Sequence, residues 1–120
     1  MLGNLTTKKN IRTFSISPEN LTGEKGKGAM AEVGSASYNA RELGKGWKIN
    51  PYIVLKGKTT AVLGEAQGQG AIKHFWITDA GNGTGRYLIL RIYFDGQKNP
   101  AVCVPLSDFF CGQMIRIINR

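Results

Sequence analysis

The sequence predicts an all-β fold, an antiparallel β-sandwich or jelly roll, and three observations support this. Sixteen glycines among 120 residues separate short runs of β-branched and aromatic residues, a pattern typical of turn-rich β domains. The run at 86–94 alternates along its length, as a strand with two different faces does. The Asp95-Gly96 pair that follows it is a strong hairpin signal, and no strand-helix-strand alternation is visible.

The chain is expected to begin with a polar arm and continue as one domain. Residues 1–11 are polar and aperiodic, and they predict a loose N-terminal arm. Residues 12–17 alternate and predict a short strand, which Pro18 would end. The expected domain therefore covers residues 12–120, as a partial jelly roll.

A glycine-rich segment at 19–37 predicts an N-terminal loop, because it lacks large apolar residues at regular spacing. Residues 39–46 predict at most one short helix. Asn39 can act as its N-cap with Glu42 three residues later, and Gly44 can end it in the left-handed region.

The rest of the chain predicts strands separated by polar turns. The strands at 86–94 and 100–105 are expected to pair antiparallel through the Asp95-Gly96 turn, and residues 106–110 predict a short turn or helical stub. The other strands are expected at 47–56, where Pro51 favours an edge or a bulge, and at 59–66 and 71–78.

The two faces of the run at 86–94 differ in chemistry. Successive side chains of a strand point to opposite sides of the sheet, so alternate positions share a face. The expected apolar face consists of Leu88, Leu90, Ile92 and Phe94, and the opposite face of Tyr87, Ile89, Arg91 and Tyr93.

The net charge of +8 permits binding to nucleic acid or another polyanion. The lysines are mostly scattered singly, however, which favours an ordinary solvated surface. The two cysteines, Cys103 and Cys111, do not form a metal-binding spacing, and the chain has one histidine, so no metal site is expected. Cys103, within the apolar run PAVCVP, is expected to be a small buried residue.

The motif Gly26-x-Gly28-x-x-Ala31 is close to a dinucleotide-binding fingerprint. That fingerprint requires a buried strand before it and a helix after it, which place the pyrophosphate at the helix N-terminus. The preceding residues ENLTGEK are not such a strand, and the P-loop spacing is also missing. No cofactor is therefore expected.

Glu19 and Glu24 suggest glycoside hydrolysis, which uses two carboxyl groups on either side of the scissile bond. The signal is weak, because sequence neighbours in a loop can reach many separations. The alternative, which the sequence favours, is that these acids pair with Lys25, Lys27 or Arg41 and order the loop.

His74 and Trp76 lie two residues apart on one predicted strand and therefore share a face. A tryptophan on a sheet face can form a platform for sugar binding, while the alternative is a core tryptophan beside a hydrogen-bonded histidine. Tyr87, Arg91 and Tyr93 form a second aromatic and basic face, which could bind single-stranded nucleic acid or act as a packing ladder.

Four segments together resemble the N-terminal part of glycoside hydrolase family 172. They are SPENLTGEKGKGAMA, NARELGKGWKINPYIVLKGKTT, GQGAIKHFWIT and LILRIYFDGQKNPAVCVPLSDFF, and the resemblance covers residues 12–111. It implies the first of a tandem pair of jelly rolls, action on fructofuranosides or arabinofuranosides, and a homo-oligomeric full-length protein. Residues 112–120 depart from the family pattern.

The resemblance places the catalytic glutamates of the family downstream of the Asp-Phe-Phe block, so no catalytic residue is assigned here. A chain of this extent is then expected to be inactive alone, with Glu19 and Glu24 in a structural or site-rim role. Weak substrate contacts are expected from His74, Trp76, Glu24 and Lys25. The alternative function is a non-enzymatic basic β domain that binds nucleic acid or a polyanionic glycan.

The N-terminal residues include no apolar segment of the kind found in signal peptides. No apolar run reaches the roughly 18 residues expected of a membrane-spanning helix. These two observations predict a cytoplasmic protein without membrane contact.

Overall fold

The chain divides into two units, Met1–Gln69 and Gly70–Arg120, each described here by itself. The polar arm at 1–11 lies outside the described residues except for its last two, and the division at residue 12 stays a prediction. The computed structural model describes residues 10–34, 37–40, 42–79 and 84–111.

An antiparallel hairpin forms the regular β structure of the second unit. Strand β1, Ile89–Ile92, pairs with β2, Val102–Pro105, from Ile89 opposite Pro105 to Ile92 opposite Val102. The Leu106 amide donates to the Leu88 carbonyl at 2.8 Å, which continues the same register beyond the strands. The predicted antiparallel pairing is confirmed, but the strands are shorter than the predicted ranges 86–94 and 100–105.

The two faces of β1 differ as predicted. Leu90 is buried, whereas Ile89 and Arg91 on either side of it are exposed. The pairing places Cys103 opposite Arg91, and cross-strand partners lie on the same face of a sheet. Cys103 is therefore exposed, and the prediction that it is buried is wrong.

The predicted turn at Asp95-Gly96 is confirmed. Both residues have positive φ, 49° and 69°, and the Gln97 amide donates to the Phe94 carbonyl at 2.9 Å. Positive φ at both central residues is the signature of a type I′ turn, whose twist suits a hairpin.

The register of the hairpin is not the one that a bare two-residue turn would give. Such a turn pairs Phe94 with Gln97 and would place Ile92 opposite Asn99, whereas Ile92 pairs with Val102. Pro100 has no amide hydrogen for a ladder, and the bonding resumes after it, where the Ala101 amide donates to the Ile92 carbonyl at 2.8 Å.

Replacing Gly96 by alanine should weaken the hairpin. A side chain at φ +69° costs about 1 to 2 kcal/mol for an L-residue in the left-handed region. Urea unfolding followed by Trp76 fluorescence, in a Trp47→Phe background, measures this loss. Gly70→Ala is the matched control, since its added Cβ meets no atom within 4 Å and its φ is not positive. Equal midpoints for the two variants would contradict the turn assignment.

The helical elements of the described residues are short: α1 at Ser37–Ala40, α2 at Leu106–Phe109 and a 3₁₀ turn at Thr84–Arg86. The described residues thus include two short α-helices where at most one was expected. The predicted stub after the second strand is confirmed as α2.

The predicted helix at 39–46 was wrongly placed. Asn39 lies inside α1 rather than before it, and the helix ends at Ala40, whose carbonyl accepts the Leu43 amide at 3.0 Å in a turn. Gly44 has φ +65°, as expected of a left-handed residue near a helix end. The local capping pattern identified a turn-rich stretch, but it did not determine where the helix begins.

The strands predicted at 12–17, 47–56, 59–66 and 71–78 do not form in the described part of the chain. The first of these stretches has a single isolated bridge at its end, between Ser17 and Asn20. Alternation alone does not make a strand, because the ladder needs a neighbouring segment that accepts its hydrogen bonds. Apolar side chains of these stretches remain in solvent, with Val54 80% and Val62 73% exposed.

Few apolar side chains are buried among the described residues, and each unit has its own. Ile49, at 1% exposure, is the most deeply buried, and it lies in the first unit together with Ala40. Leu90 and Leu106 are the buried apolar residues described in the second unit. The glycine-rich loop thus belongs to a unit whose core centres on Ile49.

Candidate functional site

The glycine-rich loop begins with a tight turn. Ser17 and Asn20 exchange two backbone hydrogen bonds, at 3.1 and 2.9 Å, across Pro18 and Glu19. Proline favours the second position of such a turn because its φ is already fixed near the required value. The sequence Ser-Pro-Glu-Asn therefore closes the chain on itself and directs the next residues into the loop.

The Asn20 side chain then holds the loop in place. Its Nδ2 donates to the Glu24 carbonyl at 3.0 Å, and its Oδ1 accepts from the Glu24 amide at 3.2 Å. The Thr22 hydroxyl donates to the same Oδ1 at 3.3 Å. One amide group thus binds both backbone groups of Glu24, which fixes the position of that residue.

A second turn follows directly. The Lys27 amide donates to the Glu24 carbonyl at 3.2 Å, and Gly26 has φ +77°, the arrangement typical of a type II turn with glycine at its third position. Lys25 occupies the second position, so its side chain lies at the tip of this turn. Gly26 therefore serves the geometry of this turn.

A cleft of about 620 Å³ lies between this loop and the segment that precedes it. Glu24 and Lys25 line it, as two of the four residues predicted to contact substrate. Sequence analysis missed Arg12 and Phe14, which line its other side. The full lining consists of Arg12, Thr13, Phe14, Ser15, Asn20, Gly23, Glu24, Lys25, Gly26 and Gly28.

The carboxylates of Glu19 and Glu24 have different surroundings. Glu19 Oε1 accepts a hydrogen bond from the backbone amide of Asn50, 31 positions along the chain. This side chain therefore connects the first turn to the segment beside Ile49. Glu24 is exposed in the cleft. Arg41, one predicted partner, lies outside the described residues.

The predicted ion pairs of these two acids with Lys25 and Lys27 do not form. The ion pairs within the described ranges join Lys45 to Glu32 at 3.1 Å and Arg86 to Asp108 at 3.0 Å. The Asn20 side chain orders the loop instead, through its hydrogen bonds to the backbone groups of Glu24. The Glu24 carboxylate takes no part in these bonds and is exposed to solvent.

His74 and Trp76 lie in the second unit and not among the residues that line the cleft. Both are exposed, Trp76 by 69%, whereas Phe75 between them is half-buried. Phe75 packs against Phe109 and Phe110, with ring centroids 5.8 and 5.5 Å apart. The side chains of His74 and Trp76 are thus both exposed to solvent, and the alternative of a core tryptophan is wrong.

The second aromatic face is also exposed. Tyr87 is 87% and Tyr93 51% exposed, and Arg91 lies between them on the exposed side of β1. The guanidinium group of Arg91 and the rings of Tyr87 and Tyr93 are therefore all accessible to solvent. A binding platform for bases or sugars would require this.

The described ranges, 10–34, 37–40, 42–79 and 84–111, contain neither a metal-ligand cluster nor a membrane-spanning helix. No group of three or more histidine, cysteine, aspartate or glutamate side chains is placed there to hold a metal ion. No helix in those ranges has the length and apolar character needed to cross a membrane.

A family model described as "GH172 first beta-sandwich domain" matches residues 31–119. The chain belongs to this family. Searches of curated proteins and of solved structures found no match. The family assignment confirms the predicted β-sandwich class and the predicted relationship to the N-terminal part of glycoside hydrolase family 172.

The matched range contains some of the candidate residues but not the cleft. Both strands of the hairpin, together with His74 and Trp76, lie within residues 31–119, whereas the cleft lining ends at Gly28. The GH172 assignment therefore rests on the part of the chain that follows the cleft lining, and the cleft stands on its own geometry. The match also includes residues 112–119, so the prediction that residues 112–120 depart from the family pattern is wrong for that stretch.

Proposed function

We propose that this chain is the first jelly roll of a tandem pair in a furanoside-acting GH172 enzyme, and that it contributes to substrate binding without supplying the catalytic pair. The observation that carries the proposal is the match of residues 31–119 to the first β-sandwich domain of GH172. Fructofuranosides and arabinofuranosides are the proposed substrates, and a homo-oligomer is the proposed assembly.

The surroundings of the acidic residues support a binding role. Glycoside hydrolysis requires two carboxyl groups, roughly 5 to 9.5 Å apart, that face one another across the bond. Glu24 is the one carboxylate among the described residues that line the cleft. Other acids are engaged elsewhere, Glu19 with the Asn50 amide, Glu32 with Lys45 and Asp108 with Arg86.

The composition of the cleft supports a carbohydrate ligand. Its lining offers hydroxyl groups from Thr13 and Ser15, charged donors from Arg12 and Lys25, and the carboxylate acceptor of Glu24. Sugar hydroxyls both donate and accept hydrogen bonds, so a site for them needs both kinds of partner. Exposed His74 and Trp76 are a second proposed contact region.

We expect the purified chain to leave aryl α- and β-fructofuranosides and arabinofuranosides unhydrolysed, because the step that breaks the glycosidic bond needs a protonated carboxyl group and a second, ionised carboxylate at the same time. Release of 4-nitrophenol, measured over a day at high protein concentration, tests this. Glu24→Gln and Glu19→Gln are assayed in parallel. Turnover that either substitution abolishes would overturn the assignment and make the loop an active site.

The alternative function is binding to a nucleic acid or polyanionic glycan through the face formed by Tyr87, Arg91 and Tyr93. Its support is the joint exposure of these side chains on a chain of net charge +8. Salt separates the two functions, because phosphate contacts weaken steeply as salt rises, whereas contacts to neutral sugars change little.

A further inference from the structure

The ring of Phe14 is the aromatic surface of the cleft. It is 52% exposed and lines the cleft, within the stretch 12–17 that was predicted to form a short strand. A half-exposed aromatic side chain among polar groups has one side free for a ligand. This position therefore differs from that of an ordinary core phenylalanine.

The Phe14 ring packs against the backbone of Gly23. Gly23 is buried with φ +67°, and a Cβ added there would lie 2.5 Å from Phe14 Cδ2 and 3.3 Å from Cγ. The first distance is shorter than real Cβ contacts, so the ring lies too close to the glycine backbone for a side chain at residue 23. The close approach of the loop to the ring thus depends on the absence of a side chain at residue 23.

The polar groups of the cleft lie around this ring. Thr13 and Ser15 are its chain neighbours, and Glu24 and Lys25 follow Gly23 directly. The Asn20 amide fixes Glu24 through two hydrogen bonds of 3.0 and 3.2 Å. One segment therefore presents an aromatic ring, and the other presents a carboxylate and an ammonium group beside it.

This arrangement suits the two surfaces of a sugar. A furanose ring has a patch of C–H groups that packs on an aromatic face, while its hydroxyls require donors and acceptors at the edge. We propose that Phe14 is the stacking residue for a neutral furanoside in this cleft, with Gly23 as the residue that positions its ring. This inference rests on the proposed carbohydrate-binding function and identifies the cleft, rather than Trp76, as its main site.

The test uses the full chain and two probes, methyl β-D-fructofuranoside and methyl α-L-arabinofuranoside, titrated in NMR experiments. We expect Phe14→Leu to weaken binding about tenfold, since leucine keeps apolar volume but removes the π face. Phe14→Tyr should retain affinity, and Gly23→Ala should weaken binding because it displaces the ring. Tyr52→Leu is the matched control and should leave the affinity unchanged, since Tyr52 is 54% exposed and is not among the residues that line the cleft. Trp76→Leu removes the aromatic residue of the second proposed contact region.

Upfield shifts of the sugar C–H protons, and nuclear Overhauser contacts between them and the Phe14 ring in the unsubstituted chain, test stacking without any substitution. If Trp76→Leu abolishes binding while Phe14→Leu does not, the stacking assignment is wrong and the carbohydrate function stands. If neither probe binds the unsubstituted chain, both proposals fail. If binding occurs without ring contacts to Phe14, the stacking assignment alone fails.

Discussion

Replacing Ile49 by alanine should lower the free energy of unfolding of the first unit by about 2 to 5 kcal/mol, the usual range for large-to-small changes in a core. Ile49 is 1% exposed, and the other buried apolar side chain described in this unit is that of Ala40. The described part of this unit offers little other apolar burial to compensate, and a loss of this size is a large fraction of the stability of an ordinary domain.

The effect is best measured by urea unfolding followed by Trp47 fluorescence. A Trp76→Phe background leaves Trp47, two residues from the substitution, as the reporter of the first unit. Ile49→Val should lose about 0.5 to 1.5 kcal/mol, because it removes one methylene group rather than three carbons.

Val54→Ala is the matched control for this experiment. Val54 is 80% exposed, and exposed substitutions usually change stability by less than about 0.5 kcal/mol. If Ile49→Ala and Val54→Ala shifted the midpoint equally, Ile49 would not be the centre of the unit.

The hairpin is the part of the fold that local sequence predicts best. Alternation over 86–94 identified the strand and its buried face at Leu90, and Asp95-Gly96 identified the turn, because both signals depend on residues adjacent in the chain. The register was not predictable in the same way. It depends on where the ladder resumes after Pro100, three residues later than the turn alone implies.

The predicted strands at 47–56, 59–66 and 71–78 show what a run of β-branched and aromatic residues between turns lacks. A pattern of apolar residues describes which side chains could share a face, but a strand also requires a partner backbone at hydrogen-bonding distance. Cys103 shows the same dependence on pairing, since its exposure follows from its position opposite Arg91 and not from its apolar neighbours.

Two of the four predicted contact residues, Glu24 and Lys25, do line a cleft, because both lie in the glycine-rich motif that also shapes the loop. Arg12 and Phe14 were missed, since they face the loop only after the Ser17–Asn20 turn reverses the chain. Asn20 carried a usable signal: asparagine in a glycine-rich stretch commonly bonds to backbone groups a few residues away.

The loop and the core of the first unit meet at residues 49 and 50. The Glu19 carboxylate accepts the Asn50 amide hydrogen bond, and Gly34 approaches the Ile49 carbonyl so closely that an added Cβ would lie 2.9 Å from its oxygen and 3.0 Å from Asn50 Cβ. Three stretches of the chain thus converge here, at 17–20, at 34 and at 49–50. The position of the cleft therefore depends on contacts remote from it.

Gly34→Ala should consequently destabilise the first unit by about 1 to 3 kcal/mol, the range for overpacking a close contact. The new methyl group would meet the carbonyl oxygen of buried Ile49. This backbone atom cannot move aside as a flexible side chain could. Gly57→Ala is the control, since its Cβ would meet no atom within 4 Å; it should leave stability unchanged or raise it by less than about 1 kcal/mol. Urea unfolding followed by Trp47 fluorescence compares the two.

A double-mutant cycle with Glu19→Ala tests whether the two contacts act on one segment. Glu19→Ala removes the carboxylate that accepts a hydrogen bond from the Asn50 backbone amide, and Gly34→Ala displaces the same residue. The two losses of stability should therefore be non-additive by about 0.5 kcal/mol or more. Additive losses would mean that the loop and Gly34 contact the core independently. Equal stability of Gly34→Ala and Gly57→Ala would contradict the close approach itself, and with it the convergence of these stretches on residues 49 and 50.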